Sequence, residues 1–150
     1  MSSISASAER EIAAPDERVY RTLADYQQHH PRILPDAFSG FRVEQGGIGT
    51  GTVIHFEVTV GGRTESYHQR IEETVPGRVL REVDFDGSRA TTFTVTPAGD
   101  RCHVRIETNR HTGGIRGLVE RLVAPRLRRP LYEDELDRLD RYAREHSDEA

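Results

Sequence analysis

The stretch YQQHHPRILP (26–35) sets two adjacent histidines, His29 and His30, against Pro31, with Pro35 four residues on. A histidine pair points to a metal ion or a proton relay, because imidazole both ligates and titrates near neutral pH. Neighbours on a helix diverge by about 100°, so these two would not share one metal. His55 and His68, opposed across a hairpin, supply only two ligands where a zinc site usually takes three or four, and no third is at hand. They are read as an exposed polar pair, and neither a metal nor another cofactor is expected. Cys102 and His103 are consecutive on a strand and point to opposite faces, so they form no nucleophile–base dyad; Cys102 is read as a core residue. GGIGTG (46–51) lacks the lysine of a phosphate loop and joins strand to strand. All 21 basic residues are arginine, which closes Schiff-base catalysis.

The elements that position these groups are legible as changes of period. ISASAEREI (4–12) alternates, with Ile4, Ala6, Ala8 and Ile12 on one face, and reads as a half-buried strand. Pro15 opens a helix with Asp16 and Glu17 in its first turn, where carboxylates complement the helix dipole. Val19, Leu23 and Tyr26 follow at helical spacing, and the helix is expected to run out near His30, because the residue before a proline is pushed out of the helical region. From about Phe38 to Asn109 the period is two. Hairpins close at Gly61–Gly62 and at Asp86–Gly87, VPGR (75–78) turns between them, and TPAGD (96–100) leads into the last strand. After Gly114, Ile115, Leu118, Val119, Leu122 and Val123 form a helical stripe that Leu136, Leu139 and Ala143 continue. Pro125 and Pro130 should kink or interrupt that helix.

Strand, short helices, a meander and a long final helix imply a curved sheet wrapped around that helix. The chain resembles the START-like, or Bet v 1-like (SRPBCC), helix-grip superfamily, which includes polyketide cyclases/dehydrases and lipid-transfer proteins. The resemblance rests on EIAAPDERVYRTLADY (11–26), GTGT (49–52), EETVPGRVL (72–80) and FTVTPAGDRCHVRIE (93–107), and covers nearly the whole chain. It implies an α+β helix-grip fold: a curved, seven-stranded antiparallel sheet around a long C-terminal helix, with two short helices after strand 1. It also implies a cavity between sheet and helix that accepts an apolar or aromatic small molecule. Residues 1–150 are expected to form a single domain whose last few residues are a disordered tail.

Hairpin register indicates the cavity lining. With Gly61 and Gly62 as the turn, Val58 faces Glu65, Phe56 faces Tyr67 and Ile54 faces Gln69. The second hairpin pairs Leu80 with Phe93 and Glu82 with Thr91; the next turn pairs Val95 with Cys102, Phe93 with Val104, and Thr94 with His103. The expected lining is therefore Ile54, Phe56, Tyr67, Gln69, Leu80, Phe93 and Val104, closed by Leu118 and Leu122. Tyr67 and Gln69 either satisfy each other or a buried water, or orient oxygen atoms of a ligand. Glu65 and Glu82 are placed at the rim, with Arg81 outward. In helix-grip proteins the segment after the first helices forms part of the entrance, so YQQHHPRILP becomes an entrance wall. Ile33, Leu34 and Phe38 would be its underside, with His30 looking inward.

Two functions remain open: binding or carriage of a hydrophobic, aromatic or polyketide-like molecule, and a cyclase/aromatase/dehydrase reaction. In the second, Tyr67, Gln69, Glu65 or His30 would assist proton transfer. The few titratable groups in the inferred lining lean toward binding. A co-chaperone module would require a large exposed apolar patch, and the pattern contains none. The net charge of -4 argues against nucleic acid as a partner, and no apolar run is long enough for stable membrane insertion. The N-terminus has no secretory pattern and Cys102 has no disulfide partner, so a cytoplasmic monomer or weak dimer is expected.

Overall fold

The computed structural model describes the backbone of residues 2–111 and 114–145 and the side chains of residues 6–110 and 129–145. Seven antiparallel strands form one sheet: β1 (Ser2–Ile12), β2 (Phe38–Gln45), β3 (Val53–Val60), β4 (Arg63–Val75), β5 (Val79–Asp84), β6 (Arg89–Ala98) and β7 (Arg101–His111). Their order is β1-β7-β6-β5-β4-β3-β2, so β1 and β2 lie at opposite edges. The chain between them therefore crosses the sheet, and it does so as α1 (Asp16–Ala24) and a 3-10 turn (His30–Ile33). The long helix α2 (Gly114–Glu145) packs on β1, α1 and the 3-10 turn. This is the helix-grip α+β architecture.

Both glycine hairpins hold the register their turns require. Val60 pairs Arg63, Phe56 pairs Tyr67, Ile54 pairs Gln69, and His55 pairs His68. In the second hairpin Leu80 pairs Phe93 and Glu82 pairs Thr91. The β6–β7 register differs from the sequence expectation by two residues: Val95 pairs Val104, Phe93 pairs Ile106, Thr96 pairs His103, and Pro97 pairs Cys102. The ladder continues through Ala98↔Arg101, so Gly99 and Asp100 alone make the turn, with Gly99 at a φ of 71° that suits glycine. A shift of two keeps every side chain on its face.

Two helix boundaries also differ. α1 ends at Ala24 rather than near His30, because the Asp25 carboxylate accepts hydrogen bonds from the backbone N–H groups of Gln27 (3.1 Å) and Gln28 (2.9 Å) and turns the chain. The glycine-rich loop secures this turn: Tyr26 N–H donates to the Gly47 carbonyl at 2.8 Å, and Gly49 N–H to the Ala24 carbonyl at 2.9 Å. At the other end, α2 is one element from Gly114 to Glu145, uninterrupted at Pro125 and Pro130. Beyond Pro130 the buried Tyr132, Leu136, Leu139, Tyr142 and Ala143 anchor it, and such tertiary burial outweighs a local proline cost of about 3 kcal/mol. The expected C-terminal tail lies outside the described residues.

Candidate functional site

Alternation along β3 to β6 sends Ile54, Phe56, Val58, Tyr67, Gln69, Glu82, Arg89, Thr91 and Phe93 to one chamber. The 3-10 turn and its flank add His30 and Leu34, β2 with the residues around it adds Phe38 and Phe41, and α2 adds Leu131, Tyr132 and Glu135. The middle is apolar and aromatic: Phe56 stacks on Tyr67 with centroids 5.1 Å apart and leans on Phe38 at 5.4 Å. The space left among these side chains is about 40 Å³, room for a few water molecules.

One end of the chamber holds an ionisable cluster. His30 is buried, stacked on Tyr26 at 4.4 Å and edge-on to Phe93 at 5.5 Å. Its Nδ1 lies 2.6 Å from the Leu23 carbonyl; a carbonyl only accepts, so Nδ1 carries a hydrogen and Nε2 is left to exchange protons. That Nε2 lies 3.7 Å from Glu82 Oε2 and 3.6 Å from Glu135 Oε2, both buried. The Tyr26 hydroxyl donates to Glu82 at 2.8 Å. Burial pushes the His30 pKa down, but Glu135, Glu82 and the Leu23 carbonyl outweigh it and the net shift is upward. Burial pushes Glu82 up to about 7, opposed by His30 and assisted by Glu135. Tyr26 is raised well above its ordinary value, chiefly by burial, and stays a donor. Against burial, the facing carboxylates thus draw His30 upward, and burial itself draws Glu82 up toward the histidine range.

The other end is a polar chain centred on Asp84. Gln69 Nε2 donates to Asp84 Oδ1 at 2.8 Å, and Arg89 Nε to Asp84 Oδ2 at 3.1 Å. The Arg89 guanidinium lies over the Tyr67 ring at 4.2 Å. The Tyr67 hydroxyl donates to Glu65 at 2.8 Å. Tyr67 and Gln69 thus bond neither each other nor a shared partner; each is held by its own carboxylate.

Of the residues named from sequence, Ile54, Phe56, Tyr67, Gln69, Phe93, Leu34 and His30 meet in this chamber. Leu80 and Val104 do not line it: both are fully buried in the core, Val104 on a strand that α1 covers. Ile33 is likewise core rather than lining. Leu118 and Leu122 lie outside the described side chains. Glu65 is exposed at the rim, but Glu82 is corrected from rim to interior: with Leu80 it occupies the inward face of β5, where Tyr26 and His30 meet it. Sequence reasoning missed Glu135 and Arg89. Glu135 sits three residues beyond Tyr132 and one before Leu136 on the buried face of α2, and that spacing was its only signal. Arg89 carried none, since an arginine after a turn reads as surface.

The remaining candidates lie elsewhere. His68 bonds Glu44 at 3.0 Å and stacks on the exposed Phe85 at 4.2 Å. Among the described residues no three or more His, Cys, Asp or Glu side chains are arranged to hold a metal. Cys102 is buried in the core, which pushes its thiol up to about 11.

A family model described as polyketide cyclase / dehydrase and lipid transport matches residues 3–144. Among solved structures, a KanY protein determined by NMR is similar at 27% identity and TM-score 0.83, over 96% of this chain and 99% of that one. A protein from Thermus thermophilus matches at 23% identity and TM-score 0.75, over 95% and 98%. Norcoclaurine synthase from Thalictrum flavum, in complex with dopamine and hydroxybenzaldehyde, matches at 21% identity and TM-score 0.70, over 97% and 88%. No curated protein matches this chain.

Proposed function

The chain belongs to the polyketide cyclase / dehydrase and lipid transport family, and from that premise we propose that its chamber binds a hydrophobic, aromatic or polyketide-like small molecule. The observation that carries this is the lining: a mostly apolar, aromatic middle bracketed by a few fixed polar groups, the composition of a small-molecule site. A space of about 40 Å³ is too small for a ring, so binding displaces a wall. The half-buried Leu34, Phe38, Phe41, Val58 and Leu131 are the side chains with solvent to move into. The protein acts in this reading as a cytoplasmic monomer or weak dimer.

Native mass spectrometry of the purified protein tests the reading directly, with a co-purifying small molecule as the expected result. Ile54→Trp fills the chamber from β3 and should weaken naphthalene binding by about tenfold or more while the variant stays folded. Unchanged binding by folded Ile54→Trp removes the chamber as the site.

A second reading, a cyclase or dehydrase reaction in the same chamber, is favoured by one observation. His30 and Glu82 are an acid and a base with pKa values both drawn upward, and His30 Nε2 lies 3.7 Å from Glu82 Oε2 at the chamber wall. The Glu82 carboxylate would take a proton from a carbon beside a ligand carbonyl, and protonated His30 would return one to the oxygen from Nε2. His30→Gln keeps a polar side chain of similar length and removes the acid. Turnover of a converted ligand should fall by about 10²–10⁴ while its affinity changes little; equal turnover would leave binding alone.

A further inference from the structure

Two buried polar atoms at the Asp84 end have no hydrogen-bond partner: the Gln69 carbonyl Oε1 and Arg89 Nη1. Gln69 and Arg89 are only 3% and 8% exposed, and both line the chamber. Asp84 pins each from behind, through Gln69 Nε2 at 2.8 Å and Arg89 Nε at 3.1 Å. A carboxylate only accepts, so the Gln69 amide must point its NH2 at Asp84 and turn its carbonyl away. The Tyr67 ring supports the guanidinium at 4.2 Å. An acceptor and a donor thus flank one carboxylate, each fixed from behind by it. Buried groups left unpaired are costly, and a ligand that pairs both recovers that cost.

We propose that this end of the chamber is a subsite for an uncharged ligand group that accepts a hydrogen bond from Arg89 and donates one to Gln69. A carboxamide, a protonated carboxylic acid and a hydroxyl beside a ring carbonyl all have that pattern. The assignment deepens the binding function above and rests on it. An anionic carboxylate fits poorly: it has no hydrogen for Gln69 Oε1, and it adds a second negative charge beside Asp84, which already neutralises Arg89. An ester satisfies Arg89 alone. The subsite therefore selects by hydrogen-bond pattern, with charge counting against a ligand.

Four probes of one ring system separate these demands: naphthalene, naphthamide, methyl naphthoate and the naphthoate anion, titrated by calorimetry at neutral pH. Naphthamide should bind at least about tenfold more tightly than the ester or the anion. Arg89→Lys keeps a cation beside Asp84 but loses the planar fork, and Gln69→Met keeps the volume but loses the carbonyl. Both should reduce the amide-to-ester preference, read as the ratio of the two affinities within each variant, to under about threefold. Circular dichroism melts establish that each variant is folded; should one not fold, the other and the wild-type preference decide. Naphthalene binding without an amide preference in the wild type overturns the subsite alone, as does a preference that survives in a folded variant. Failure of all four probes to bind overturns the subsite and the chamber reading together.

Discussion

Strand β5 carries two inward carboxylates two residues apart, Glu82 and Asp84, and the ends of the chamber differ in what meets them. Asp84 meets Arg89 and Gln69 within hydrogen-bonding distance, so its charge is compensated and its geometry fixed. Glu82 meets a tyrosine hydroxyl, a histidine 3.7 Å away and, beyond that histidine, a second buried carboxylate. One histidine cannot compensate two carboxylates, and Glu135 Oε2 has no hydrogen-bond partner. Buried charge is thus compensated within hydrogen-bonding distance at one end and only partly compensated at the other.

Removing the compensation at the Asp84 end should give the largest effect. Asp84→Asn leaves the buried Arg89 guanidinium without its counter-charge and should cost about 3–5 kcal/mol in urea unfolding. A loss below about 1 kcal/mol would mean that the two ends do not differ in compensation.

The titrating end is isolated by Glu82→Gln, which keeps a hydrogen-bond partner for Tyr26. Glu82 sits at about 7 in the fold against an ordinary 4.5, and His30 is also raised, so the folded state binds more protons than the unfolded one. Stability from both groups is complete below their unfolded values and is lost as pH rises through the folded ones. From about pH 5 to about pH 8 the wild type should therefore lose stability relative to Glu82→Gln, by on the order of 3 kcal/mol at most. Parallel stability curves for the two proteins would remove the distinction between the ends.

The smallest effect is expected at the rim. The Tyr67 hydroxyl donates to the exposed Glu65, so Tyr67→Phe should cost under about 1 kcal/mol and change naphthamide affinity by less than about threefold. A larger affinity loss would transfer to Tyr67 the donor role argued for Arg89.

Much of this is legible in the sequence. The strands β3 to β6 and their inward sets followed from alternation and from glycine turns, because a tight turn fixes pairing locally and the pleat then fixes faces. The β6–β7 register slipped by two because Pro97 and Ala98 read as loop while the ladder continues through them to a shorter turn. Glu82 fell on the inward face of its predicted pair with Thr91, yet a carboxylate among apolar neighbours suggested a rim, since an isolated buried charge is costly. Only its partners make the interior position tolerable.

The sequence by itself determined the helix-grip order, the antiparallel sheet and the apolar face of the chamber. Each of these rests on interactions between residues close in the chain or on a repeated period. The tertiary structure alone decided that Glu135, His30 and Glu82 meet, and that Asp84 pins both Gln69 and Arg89. Those groups come from separate elements whose approach depends on how α2 and the crossing segment pack over the sheet, and no local period encodes that approach. The proton affinity of the site was decided there as well, because it follows from water excluded and charges gathered only once the layers have closed.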